Sequence, residues 1–66
     1  MYCTKVTCNG EEIASTYTDL LSQAVDFGNK VSFTGDTITV YEATKNLCDV
    51  ELTHQVLSCQ VFDNEL

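Results

Sequence analysis

The sequence predicts an α+β fold: a small antiparallel sheet of two hairpins plus one or two C-terminal strands, with one helix packed on a face. Three observations carry that prediction. Asn9-Gly10 lies between two alternating segments, residues 16–27 hold an apolar stripe at helical spacing, and the last third of the chain alternates apolar and polar residues in steps of two. The chain reads as a single domain, 1–66, because so short a sequence cannot divide into two cores.

Residues 3–15 are expected to form the first hairpin. Asn and Gly tolerate the positive φ of a type I′ turn, and a two-residue loop pairs Cys8 with Glu11 and Val6 with Ile13. Two β-branched residues then stand opposite each other, which favours that register. Residues 16–27 are expected to form the helix. Thr16 with Asp19, or Thr18 alone, offers an N-cap. Leu20, Leu21, Ala24 and Val25 make the apolar stripe, and Asp19, Ser22, Gln23 and Asp26 the wet face. Gly28-Asn29 is the expected stop, since glycine accepts the left-handed conformation common just past a helix end. A helix this short is marginal alone and must pack on a sheet.

A second hairpin is expected over residues 30–42, turning at Gly35-Asp36. That register pairs Phe33 with Ile38 and Val31 with Val40 on one apolar face, and leaves Tyr41 on the polar face. Residues 44–46 read as a connection. Cys48, Val50, Leu52, His54 and Val56 then alternate with polar residues, after which the phase flips to Leu57, Cys59 and Val61. A β-bulge or turn near His54-Gln55 would produce the flip. A helical pattern through Leu47, Val50, His54, Leu57 and Val61 competes with the strand reading. Residues 63–66 read as a frayed tail. The expected core is Val6, Ile13, Leu20, Leu21, Ala24, Val25, Val31, Phe33, Ile38, Val40, Val50, Leu52 and Leu57.

Charge is the main compositional anomaly. Ten carboxylates face three lysines (Lys5, Lys30, Lys45), there is no arginine, and the net charge is −7. Nucleic-acid and anionic-membrane binding both draw on clustered Lys and Arg, so this composition argues against either. It suits a basic protein surface, or merely keeps a small protein soluble. No apolar run is long enough to span a bilayer, and the first residues lack the basic start and apolar stretch of a secretion signal. The chain therefore reads as a full-length, cytoplasmic product, in host cytoplasm if viral. Its four cysteines would there be thiols packed as small hydrophobes; in an oxidising compartment they permit two disulfides with three pairings.

No catalytic, metal or cofactor site is expected. Cys3 and Cys8 are an odd number of residues apart, which sends their side chains to opposite faces of a straight strand. Cysteine nucleophiles need a base and a positive neighbourhood, and this chain has one His, no Arg and a negative field. Asp49 and Glu51 share a strand face at roughly 6–7 Å, but 66 residues leave little material for a cleft that would shift carboxylate pKa values apart. No phosphate-cradling, dinucleotide or calcium loop occurs.

What is left is a protein-binding module. The expectation is an inhibitor that occupies a basic, nucleic-acid-handling surface of a partner such as a nuclease or polymerase. In length and acidity alone the chain is similar to the small inhibitors of phages and mobile elements, which present carboxylates where phosphates would sit. Glu11, Glu12, Asp19, Asp26, Asp49, Glu51 and Tyr41 are the candidate contact residues. The alternative is a structural or regulatory homodimer, formed by edge pairing of residues 47–62 across a two-fold axis.

Overall fold

The computed structural model describes residues 1–45 and 47–61. Strands β1 (Tyr2–Cys8), β2 (Glu11–Thr18), β3 (Thr37–Lys45) and β4 (Val50–Gln60) form one antiparallel sheet in the order β2-β1-β3-β4. Helix α1 (Leu21–Val31) links β2 to β3 and packs on β1, β2 and β3. The fold is α+β, as expected.

The first hairpin turns at Asn9-Gly10 with φ of 53° and 82°, and Cys8 pairs with Glu11. Its register departs from expectation one step later. Ile13 is an extra residue on β2, so Val6 faces Ala14 and Ile13 is 50% exposed. The bulge reverses the strand's phase, bringing Ala14 onto the core and turning Ile13 outward.

The helix begins and ends later than 16–27. Thr16, Tyr17 and Thr18 stay in β2, since β-branched and aromatic residues suit an extended chain. Leu20 is the N-cap and has no side-chain acceptor; Gln23 Oε1 accepts from its N–H at 3.3 Å. Thr18 does not cap, its hydroxyl donating instead to the Leu20 carbonyl at 3.1 Å. Ala24 and Gly28 are the buried helical residues, whereas Leu20 and Leu21 are exposed and leave the expected core. Gly28 is not a stop. A Cβ there would lie 2.6 Å from Ile38 Cγ2, so glycine is what lets the helix approach β3. The Ser32 N–H donates to the Gly28 carbonyl at 3.1 Å and closes the last turn, where Lys30 complements the helix dipole.

The hairpin expected over 30–42 does not form. Lys30 and Val31 are helical, and residues 33–36 make a turn that feeds β3. Asp36 Oδ2 accepts from the Phe33 N–H at 2.8 Å, the Asp36 N–H donates to the Phe33 carbonyl at 3.0 Å, and Gly35 adopts φ 94°. Val61 ties this turn to the end of β4 through two 2.8 Å backbone bonds, to Gly35 and Asp36. Phe33 is 77% exposed. Ile38 and Val40 pair with Val6 and Thr4 of β1, so β3 lies inside the sheet and its hairpin partner is β4.

β4 confirms the strand reading of the C-terminal third and excludes the helical one. Two bulges flank His54-Gln55, where Thr53 and Val56 have no partners on β3; together they restore the strand's phase, so the apolar residues change face, Val50 and Leu52 on one side of the sheet and Leu57 and Cys59 on the other. Thr44 and Lys45 belong to β3 rather than to a connection. Val50 and Leu52 are half-buried. Asn46 of the expected connection, Phe62 and the tail expected at 63–66 lie outside the described residues.

Val6, Ala24, Ile38 and Val40 are the buried core cluster, with Tyr2, Ala14, Val31, Leu57 and Val61 packed against it. Thr4 is fully buried, and its hydroxyl donates to the Ala24 carbonyl at 3.0 Å, pinning the helix to the central strand. The molecule measures 48 × 23 × 16 Å, elongated because the β3–β4 hairpin runs on beyond the paired ends of β1 and β2.

Candidate protein-binding interface

Strand alternation divides the molecule into a helix side and an open side. On β1, Thr4 and Val6 face the helix, and Cys8 follows in phase; Cys3, Lys5 and Thr7 face away. On the β3–β4 hairpin, Glu42 opposite His54 and Thr44 opposite Glu51 continue the helix side. Tyr41 opposite Gln55, Ala43 opposite Leu52 and Lys45 opposite Val50 continue the open side.

Charge follows this division. The helix side carries Glu42, Glu51 and, through its pairing with Cys8, Glu11. Asp26 is exposed on the outer surface of the helix, two residues from each of the buried Ala24 and Gly28. Asp19 is exposed in the bend that lifts the chain onto the helix. Lys30 is the one lysine of this side. His54 Nε2 lies 3.4 Å from Glu42 Oε2, and Thr53 Oγ1 donates to the Glu42 carbonyl at 3.1 Å, which holds the Glu42 strand pair in place across the bulge.

On the open side, lysines and carboxylates balance. Lys5 Nζ sits 3.6 Å from Glu12 Oε1 and 5.8 Å from the centre of the Tyr41 ring, within cation–π range. Lys45 and Asp49 share an open cleft of about 440 Å³ with Tyr17, Leu47, Cys48 and Val50.

Of the candidate contact residues, Glu11, Asp26 and Glu51 therefore lie on the helix side, spread along its length, and Asp19 sits in the bend that leads into the helix. Glu12, Asp49 and Tyr41 do not join them: the bulge and register place Glu12 and Tyr41 on the open side, and Asp49 lines the cleft. Glu42 was missed, because the expected hairpin ended there; read as one strand, Tyr41-Glu42-Ala43-Thr44-Lys45 puts Glu42 and Thr44 together on one face.

The cysteines are dispersed free thiols. Cys3 is buried on the open side, and burial pushes its pKa up. Cys8, on the opposite face, has its pKa raised by the neighbouring Asp36 carboxylate, with partial burial adding to it. Cys48 and Cys59 are exposed. Among the described residues no three His, Cys, Asp or Glu side chains gather as metal ligands.

Both outer strands are interrupted, β2 by Ile13 and β4 by Thr53 and Val56. Bulges at an edge break the continuous ladder that strand addition needs, so they work against edge pairing through β4. No helix among the described residues is long and apolar enough to cross a membrane. Comparison with protein-family models, curated proteins and solved structures returned no match.

Proposed function

We propose that the chain is a small acidic protein-binding module, an inhibitor whose helix side occupies a basic, nucleic-acid-handling surface of a partner protein. The observation that carries this reading is the division of charge: Glu11, Asp26, Glu42 and Glu51 against a single Lys30 on one side, and a balanced opposite side. A negative face of this kind steers a positive partner over distances of a Debye length, and such steering raises association rates by roughly 10–10³-fold. Phosphate-binding grooves are lined by Lys and Arg, and a face of net negative charge matches them in sign.

The test is affinity capture from the native cell with the full chain and with Glu42→Lys/Glu51→Lys, followed by binding measured at low and physiological salt. The expected partner is basic, is released by duplex DNA and by rising salt, and binds the charge-reversed chain at least tenfold more weakly. Partners that are only neutral or acidic, or binding indifferent to salt and to both substitutions, would remove the reading.

A further inference from the structure

We propose that the open side of the sheet, at its hairpin end, is a self-complementary surface through which two copies of this chain associate face to face. The surface is the opposite one from the acidic side, and the inference does not depend on the partner proposed above. Tyr17 is 51% exposed, Leu47 is fully exposed at the hairpin tip, and Val50 and Leu52 are half-buried beside them. Tyrosine and apolar residues with few charges are the composition of an interface core.

Charge selects a second copy as the occupant. The chain is strongly negative, so most of its surface repels another copy. The open side is the exception, with Lys5 against Glu12 and with Lys45 and Asp49 lining one cleft. A two-fold contact brings each residue of a patch against its complement on the other subunit. Lys45 of one copy can then meet Asp49 of the other across the cleft, in both directions. The remaining carboxylates point away: the molecule is 16 Å thick, about twice the roughly 8 Å Debye length at physiological salt, so repulsion between the two acidic sides is screened.

Sedimentation of the full chain at micromolar concentration tests this. Wild type should sediment at twice its 7.3 kDa chain mass. Lys45→Glu and Asp49→Lys, both at exposed positions, should each sediment as monomers with unchanged circular dichroism. An equimolar mixture of the two should recover the dimer, because one variant is negative and the other positive at both positions, so the mixed pair sets opposite charges together at both contacts. Glu42→Lys/Glu51→Lys should remain dimeric, which separates this surface from the acidic one. A monomeric wild type overturns the proposal, and so does a dimer that survives Lys45→Glu and Asp49→Lys individually.

Discussion

Replacing Gly28 with alanine measures how tightly the helix is seated on the sheet. In an open helical position the change stabilises by about 1 kcal/mol, because alanine has the best helix propensity and glycine among the worst. Here the new methyl would meet Ile38 Cγ2 at 2.6 Å, with Cδ1 and Cγ1 at 3.2 and 3.3 Å. Ile38 is 2% exposed and packed with Val6, Ala24 and Val40, so it has no free space to turn into. Either the helix lifts or the core shifts, and overpacking of this kind costs roughly 1–3 kcal/mol. The clash exceeds the propensity gain, leaving a net loss of about 1 kcal/mol. For a domain of this size that lowers Tm by about 4–8 °C. Urea unfolding and a thermal melt read the effect. Asn29→Ala, one residue along and exposed, is the control and should gain up to about 0.7 kcal/mol. If Gly28→Ala were as stabilising as the control, the helix would not sit against β3 at this distance, and the account of why glycine occupies the position would fail.

Other outcomes follow from the same contacts. Thr4→Ala should cost about 2 kcal/mol in urea unfolding, roughly half from the lost hydrogen bond to Ala24 and half from the vacated methyl. Alkaline pH should destabilise the fold. Cys3 and Cys8 have raised pKa values, by burial and by the neighbouring Asp36 respectively, so their contribution is full below the ordinary cysteine value of 9.0 and is lost as pH rises through the raised values. Cys8→Ser cannot ionise in this range and should flatten that loss in a stability–pH profile. Unfolding His54→Ala should show a change under about 1 kcal/mol, because the Glu42 pair is exposed and solvent-screened.

Local chemistry made the first turn legible, and local chemistry misled at the second. Asn9-Gly10 had no competitor, since both residues accept positive φ and the flanking strands are adjacent. Gly35-Asp36 carries a similar signal and is also a turn, but the segment before it belongs to the helix. What β3 pairs with is decided by β1 and β4, far away in sequence, and no pattern within residues 30–42 announces them. Gly28 misled for a related reason. Glycine permits both a left-handed helix end and a close approach, and only the position of Ile38 distinguishes them. The reversal of alternation in β4 suggested one extra residue near His54-Gln55; two are there and they cancel, so the apolar residues pass from the open side to the core side instead. The bulge at Ile13 was not legible, because Val6 opposite Ile13 is a satisfactory pair by itself and the preference for Ala14 comes from the helix above it.

The candidate interface shows how this limit reaches function. Net charge is a property of composition, but a side is a property of register. Glu11 and Glu12 are neighbours in sequence and end on opposite faces. Glu42 and Glu51 are separated by a turn and end on the same face, beside the Glu42–His54 pair. Moving β4 by one residue against β3 would exchange Glu51 with Val50 or Leu52, spoiling the acidic side and the apolar open side in a single step. The Thr53 hydroxyl bonded to the Glu42 carbonyl opposes that slip, as does Leu57 paired to Val40 on the core side of the bulges. The same strand pairing thus maintains both surfaces, and a protein that presents one charge on one side and neutrality on the other must keep its hairpin register to keep either.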